Sequence, residues 1–198
     1  MCAALALAGQ PSPGGGPARP GHTGKARARI GQTGGMDVLA TIGLGTSSVI
    51  LRRAQAADIP AIVDLLAADQ LGAVRDGVRE AADLAAYERA FRAIDHDPAH
   101  LLLVAESEGT ITGTLQLSFI PGLARRGALR AQIEAVRVAD GYRGRGLGEA
   151  IFEWAIGEAR RRGCSLVQLT SDKSRTDAHR FYERLGFVAS HEGLKLAL

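Results

Sequence analysis

Residues 138–148 read Val-Ala-Asp-Gly-Tyr-Arg-Gly-Arg-Gly-Leu-Gly and join a predicted strand, 128–138, to a predicted helix, 149–162. Glycines at alternate positions, 144, 146 and 148, let the backbone come close to a ligand. Unpaired N–H groups at a helix start, beside Arg143 and Arg145, favour an anion such as a phosphate. The stretch therefore predicts a phosphate-binding loop between a strand and a helix.

Two commoner phosphate motifs are absent from this loop. A dinucleotide-binding loop needs Gly-x-Gly-x-x-Gly, but the residue three positions after Gly146 is Glu149. A Walker A loop needs Gly-Lys-Ser or Gly-Lys-Thr, which the chain lacks here. The remaining pattern, Arg143-x-x-Gly146-x-Gly148, taken alone also fits a plain connection with its arginines in solvent.

A second stretch narrows the interpretation. Residues 177–187 read Asp-Ala-His-Arg-Phe-Tyr-Glu-Arg-Leu-Gly-Phe. The loop at 143–148 resembles the acyl-CoA pyrophosphate signature of the GNAT family of N-acetyltransferases, and this second run resembles the family's C-terminal motif. The resemblance covers residues 48–198. One departure is Arg175, where the family often has Asn, so the contacts of residues 171–176 stay open.

The resemblance and the apolar periodicity imply the same fold class. The periodicity predicts a mixed sheet flanked by helices. The resemblance implies an α/β (α+β) domain whose mixed, mostly antiparallel sheet has central splayed parallel strands. The predicted strands are 49–54, 101–106, 110–120, 128–138 and 166–170, with a closing pair at 187–190 and 194–198. The predicted helices follow Asp58 and span 81–94, 149–162 and 177–185.

The family's co-substrate is acetyl-CoA, and no metal is expected. In this family the pantetheine arm lies in the gap between two splayed strands, here 128–138 and 166–170. His179 is open between a cofactor contact and a structural role. The resemblance implies these cofactor-binding residues: Val136, Arg137, Val138, Arg143, Gly144, Arg145, Gly146, Leu147, Gly148, Asp172, Ser174, His179 and Phe181.

Two residues are candidates for catalysis. Glu134 is the expected general base, because by period 2 it shares a strand face with Val136 and Val138; it is alternatively an exposed strand carboxylate. Tyr182 stands where the family has the acid that protonates the leaving thiolate; alternatively its ring only packs in the core. We therefore expect direct transfer of an acetyl group to a primary amine of a small molecule or protein. The alternative is an acyl-CoA-binding sensor with little transferase activity.

The acceptor itself is not readable from the sequence. The family's acceptor walls correspond here to residues 71–80 and 121–130, and both contain arginines. Such walls suit an acceptor that carries a carboxylate or phosphate beside its amine. A solvated basic loop is an equally good interpretation.

Charge and composition give predictions about the N-terminal tail, the partners and the cellular location. The net charge of +3 lies entirely in residues 1–47, which are rich in Gly and Pro, so we predict a disordered basic tail there and the domain at 48–198. A transit peptide, or a natural start at Met36 or later, would also explain the tail. The neutral domain argues against a nucleic-acid partner, and no run suits a membrane span. Two cysteines give no disulfide framework, so we expect a cytoplasmic protein and leave a homodimer open.

Overall fold

One seven-stranded sheet organises the protein. The computed structural model describes residues 28–29, 37–45, 47–68, 76–78 and 80–197. The strands neighbour one another in chain order, and every neighbouring pair is antiparallel except β6–β7, which is parallel. They are β1 (Ala28–Arg29), β2 (Val38–Leu44), β3 (Ser47–Arg53), β4 (His100–Ser107), β5 (Thr110–Pro121), β6 (Leu129–Val138) and β7 (Leu166–Leu169).

Helices cover both faces of the sheet, which confirms the predicted fold class. Helices α1 (Ile59–Ala67) and α2 (Ala81–His96) pack on one face around Val104 of β4. Helices α3 (Leu147–Arg161) and α4 (Thr176–Arg184) contribute to the larger core on the other face. Among the described residues, no helix has the length and apolarity that a membrane crossing requires.

The predicted strands 101–106 and 110–120 form a hairpin. Strands β4 and β5 pair from His100↔Ser118 to Ser107↔Thr110. The two residues between them, Glu108 and Gly109, have φ angles of 50° and 76°. Two consecutive residues with positive φ form the tight turn that matches the twist of paired strands, and glycine at the second position adopts it without strain.

The domain begins earlier than the sequence predicts. Strand β2 lies inside the predicted tail of 1–47, yet Ala40 and Ile42 have no solvent exposure, and Ile42 pairs with Val49 of β3. The predicted boundary at 47/48 is therefore wrong. Alternation at 40, 42 and 44 was sufficient to build a strand, although the Gly-rich composition around it favours a loop. Residues 1–27 and 30–36 lie outside the described residues, so disorder there stays a prediction.

The predicted closing pair of strands is also wrong for the described residues. From Gly186 to Ala197 there is no strand, and Val188, Leu194 and Leu196 are largely exposed. Within the segment, Glu192 Oε1 forms an exposed ion pair with Lys173 Nζ at 2.9 Å, which contributes little to stability. Alternating leucines make a strand only where another strand offers hydrogen bonds. Because this pair does not form, β7 is the edge strand, and the parallel β6–β7 pairing lies at one side of the sheet, not in its centre.

A buried ion cluster fixes α1 to the sheet. Arg52 of β3 donates two hydrogen bonds to the Asp58 carboxylate, at 2.7 and 2.9 Å, and one to Glu106 of β4, at 2.7 Å. Burial by itself raises the pKa of Asp58, but the hydrogen bonds from Arg52 and from the N–H of Gln55 outweigh burial and hold that pKa below its usual value. The carboxylate is therefore ionised whenever the protein is folded near neutral pH.

Replacing this carboxylate tests the cluster. We expect Asp58→Asn to lower the free energy of unfolding by about 3 kcal/mol at pH 7, because it removes a charge from a buried pair. The matched control, Asp177→Asn in an exposed pair with Arg180, should change it by less than about 1 kcal/mol. Because the pKa is lowered on folding, the stabilisation is complete above the unfolded pKa of about 3.9 and disappears as pH falls through the folded value. Urea unfolding between pH 3 and 7 measures this, and equal losses in the two variants would contradict it.

Candidate active site

Strand β6 contains one extra residue at its centre. Glu134 lies opposite Gln116 of β5, whereas Arg137 lies opposite Thr114, so two residues of β6 face one residue of β5. Ala135 within this interval has a φ of 52°, in the left-handed region. This is a β-bulge, a local insertion that bends a strand and turns its later side chains to the opposite face.

The bulge changes which side chains share a face. Glu134 and Arg137 lie on the face of Gln116 and Thr114, on the side of α1 and α2. Val136 and Val138 lie on the opposite face, where they pack against the core beneath α3. The prediction that Glu134 shares a face with the two valines is therefore wrong, because period 2 does not hold across an inserted residue.

Strands β6 and β7 stop pairing immediately before the bulge. Their parallel pairing runs from Arg130↔Leu166 to Ile133↔Leu169 and then ends. From Glu134 to Val138, the side of β6 that faced β7 has no strand partner among the described residues. A cavity of about 390 Å³ lies against this part of β6, lined by Val136, Arg137, Val138, Arg143 and residues 174–178. The predicted gap thus lies where five of the predicted binding residues meet.

The glycine-arginine loop (residues 140–148) reaches the cavity through Arg143. Gly144 and Gly146 have φ angles of 71° and 87°, which only glycine adopts without strain. Arg143 forms an ion pair with Asp140 at 2.8 Å and donates from Nε to the carbonyl of Val138 at 3.2 Å. The first N–H groups of α3, which starts at Leu147, have no partner within the helix. The loop is thus held by its own contacts and leaves backbone donors at a helix start.

Two of the predicted loop residues have packing roles of their own. The side chain of Leu147 is fully buried and anchors the start of α3 in the core, so only its backbone is near the loop. A Cβ atom on Gly148 would lie 3.7 Å from the ring of Phe181 and 3.8 Å from Val138. Both distances are ordinary van der Waals contacts, so a methyl group at position 148 would pack against Phe181 and Val138. Arg145 donates to the carbonyl of Gly141 at 3.3 Å.

The segment before α4 is stabilised by the residues predicted to contact the cofactor. Asp172 accepts hydrogen bonds from the N–H and hydroxyl of Ser174, at 3.0 and 2.7 Å. His179 Nε2 lies 2.9 Å from the carbonyl oxygen of Asp172. Phe181 packs edge-on against Phe152 of α3, with ring centroids 5.5 Å apart. Asp172, His179 and Phe181 therefore support the segment before α4. Of the predicted residues in this region, Ser174 lines the cavity and these three do not.

Tyr182 combines a packed ring with an uncommitted hydroxyl. Its ring contacts Phe152 and Phe187, with centroids 5.5 and 6.1 Å away. Within the described part of the chain, its hydroxyl makes no hydrogen bond. Burial raises the pKa of Tyr182, and the opposing pull of Arg175 and Arg137 does not cancel that effect. The phenol is therefore a neutral proton donor across the physiological pH range.

Glu134 has the complementary character. Its side chain is exposed, and its carboxylate has no hydrogen bond or ion pair with any described residue. The neighbouring polar groups on the same face are committed to each other: Gln168 of β7 donates to Gln132 of β6 at 2.7 Å. An exposed, unpaired carboxylate beside the end of the β6–β7 pairing is free to accept a proton. The bulge was not predicted, because an alanine carries no sequence signal for a positive φ. The glutamine pair was not predicted either.

The acceptor walls are only partly described. Of the predicted wall at residues 71–80, positions 71–75 and 79 lie outside the described residues. In the second wall, Arg125 and Arg126 are exposed and adopt left-handed φ angles of 56° and 62°. This wall leads directly into β6.

Comparison with known proteins agrees with this geometry. The family model "Acetyltransferase (GNAT) family" matches residues 61–187. The chain belongs to the GNAT family. The GNAT match begins in α1 and ends just after α4, so it includes the bulge, the glycine-arginine loop and Tyr182.

Three similar proteins extend this result. This GNAT chain is 32% identical over 109 residues to the aminoalkylphosphonate N-acetyltransferase of Salmonella typhimurium, covering 55% of this chain and 70% of that protein. It is 37% identical over 90 residues to the glucosamine 6-phosphate N-acetyltransferase of Trypanosoma brucei brucei, covering 46% of this chain and 59% of that protein, less than two thirds of its length. A solved structure from Bacillus halodurans C-125, named a transcriptional regulator, is 46% identical with a TM-score of 0.72, covering 76% of this chain and 99% of that chain.

Substitutions at Gly146 and Gly157 measure the effect of a strained backbone conformation apart from that of steric crowding. A Cβ atom would meet nothing within 4 Å at either Gly146, with φ of 87°, or Gly157, inside α3. We expect Gly146→Ala to lower the free energy of unfolding by about 1–2 kcal/mol, because it forces a left-handed alanine. Gly157→Ala should raise it by about 0.5–1 kcal/mol. Urea unfolding checks both values, and the same sign in both variants would contradict a left-handed Gly146.

Proposed function

We propose that this protein is an acetyl-CoA-dependent N-acetyltransferase that acetylates the primary amine of a small molecule directly. The observation that carries the proposal is the cavity at the point where β6 and β7 separate, bounded by the glycine-arginine loop and α4. Its volume of about 390 Å³ is within the range of small-molecule sites. Membership of the GNAT family and the names of the two N-acetyltransferase relatives support the same reaction class.

The residues of the cavity fit acetyl-CoA. The N–H groups at the start of α3, with Arg143 and Arg145, would hold the pyrophosphate. The backbone of Val136 and Val138, which lacks a β7 partner, would pair with the amides of the pantetheine arm as a neighbouring strand does. The co-substrate supplies an acetyl group activated as a thioester. A backbone N–H near Val136 would polarise the thioester carbonyl.

We assign proton transfer to Glu134 and Tyr182. A lysine-like amine has a pKa near 10.4, so only roughly 0.04% of it is neutral at pH 7. Glu134 would accept the amine's proton, directly or through water, from the face that the bulge turns away from the valines. Tyr182 would donate its phenolic proton to the departing thiolate. In this arrangement, the acceptor amine and the thioester of acetyl-CoA would approach β6 from opposite faces of the sheet.

A small-molecule acceptor is favoured over a protein one by the relatives. Both curated relatives are named for small acceptors that contain an amine, an aminoalkylphosphonate and glucosamine 6-phosphate. A second function, an acyl-CoA-binding regulatory module, is favoured by one observation: the Bacillus halodurans protein of the same fold is named a transcriptional regulator. The enzyme is preferred because an unpaired carboxylate, Glu134, directly follows the last β6–β7 pair and the phenol of Tyr182 makes no hydrogen bond with a described residue, and a sensor needs neither.

An amine-panel assay with a variant at Glu134 separates these functions. Purified full-length protein should release CoA thiol from acetyl-CoA when given aminophosphonates, aminoglycosides, amino acids, polyamines or lysine peptides, with at least one class active. Glu134→Gln should then lower kcat by about 10²–10⁴-fold at pH 7 and recover partly at high pH, where the amine is already neutral. The isosteric control Glu153→Gln, exposed on α3, should leave kcat unchanged. Binding of acetyl-CoA with no release for any amine would favour the regulatory module.

A second variant tests the role of the phenol. Tyr182→Phe keeps the aromatic packing, so the unfolding free energy should change by less than about 0.5 kcal/mol. We expect kcat to fall about 10²-fold below pH 8 and the loss to shrink above the thiol pKa of about 8.5, where the thiolate leaves without protonation. A kcat–pH profile measures this. A loss of stability with an unchanged pH profile would instead assign Tyr182 to packing alone.

A further inference from the structure

Gln116 of β5 is the residue directly opposite the proposed base. It pairs with Glu134 in the last regular pair before the bulge. Opposite side chains on one face have Cβ atoms about 4.5–5.5 Å apart, so both head groups can contact one small ligand. The Gln116 side chain is half-buried, and its amide forms no hydrogen bond with a described residue. A ligand that covers this amide has to hydrogen-bond with it, because an amide buried without a partner weakens the complex.

The next polar pair on this face is already engaged. Ser118 follows Gln116 by two residues and lies opposite Gln132, so the pairs 116–134 and 118–132 project from the same side. The Ser118 hydroxyl is 2.8 Å from Nδ1 of His100 on β4. Gln132 accepts a hydrogen bond from the β7 glutamine described above. Within these two pairs, Gln116 and Glu134 therefore have the head groups that no described residue occupies, and the two adjoin each other.

A neutral hydrogen-bonding group fits beside Gln116 better than an anion does. Leu102 of β4, which lies opposite Gln116 on its other side, is apolar and packs with α1 and α2. A carboxylate attached next to the amine would be repelled by the charge of Glu134, whereas a hydroxyl is neutral. A hydroxyl also both donates and accepts, as a primary amide does, so either end of the Gln116 amide can bind it. In a 1,2-amino alcohol the amine and the hydroxyl are on adjacent carbons, which suits head groups on directly opposite residues.

We propose that the acceptor is an amino alcohol with its hydroxyl on the carbon next to the amine-bearing carbon, and that Gln116 selects it by hydrogen-bonding this hydroxyl. This inference rests on the proposed acetyltransferase function, in which Glu134 takes the amine's proton. Gln116 is a binding residue that exchanges no proton with the substrate. Its loss therefore removes the preference for hydroxyl-bearing acceptors and leaves transfer to a plain amine intact.

Matched acceptors measure this preference. Propylamine has a methyl group of similar size where ethanolamine has the hydroxyl, and kcat/KM for each is expressed per concentration of neutral amine. The wild-type full-length protein should have a kcat/KM for ethanolamine about 10- to 100-fold above that for propylamine. Glycine, with a carboxylate in the same place, and glycinamide, with a carbonyl, should both be poorer acceptors than ethanolamine.

Variants at Gln116 assign the preference to one side chain. Gln116→Met keeps the unbranched shape without the amide, and Gln116→Leu is a second apolar replacement. Both should lose the preference for ethanolamine and retain the wild-type rate with propylamine, which serves as the test that the variants are folded. The control Gln168→Leu removes a glutamine from the same face two strands away and should keep the wild-type preference.

The outcomes separate this inference from the proposed function. An unchanged preference in the Gln116 variants, or an equal loss in Gln168→Leu, would overturn the role of Gln116. Equal kcat/KM for ethanolamine and propylamine in the wild type, or a preference for glycine or glycinamide, would overturn the amino alcohol while the acetyltransferase stands. Acetylation of no amine at all would reject the proposed function and this inference with it.

Discussion

The extra residue at Ala135 is the constraint on which the site depends. A strand without it would keep Glu134, Val136 and Val138 on one face and could continue its pairing with β7. With it, pairing to β7 stops at Ile133, and the later backbone of β6 is left free along one edge. The same residue turns the valines into the core and leaves Glu134 on the side of α1 and α2. One left-handed alanine, strained by about 1–2 kcal/mol, therefore creates both the gap and the separation of its two sides.

Arginines in this protein fall into two groups with different consequences. Arg52 is enclosed by carboxylates and holds α1 and β4 to β3. Arg162 binds Glu158 at 2.7 Å and lies 4.1 Å from the ring centroid of Phe119, which fixes the end of α3 to β5. These pairs make the frame rigid, so the start of α3 and the glycine-arginine loop keep their position. Arg130 lacks such partners, and its shielded Nε makes no hydrogen bond with a described residue.

Much of the fold could be predicted from local patterns. The strands of the β4–β5 hairpin and the helix after the glycine-arginine loop follow from turn chemistry and apolar spacing within a few residues. The errors arose in segments whose secondary structure depends on pairing with another strand. Strand β2 was missed because glycines surround it, and the closing strands were predicted from alternating leucines that have no partner strand among the described residues. Neither stretch of sequence shows whether a distant segment will form backbone hydrogen bonds with it.

The candidate site divides in the same way. By itself, the sequence determined the loop of Gly144 and Gly146, the position of Tyr182 and membership of the GNAT family, because backbone freedom, side-chain chemistry and motif spacing are local properties. Only the tertiary structure decided which face Glu134 occupies and that Asp172 and His179 support their own loop. These depend on the register between β5 and β6 and on what each side chain meets across the sheet. Register is set by packing over the whole strand, so one inserted residue changes it without any mark in the local sequence.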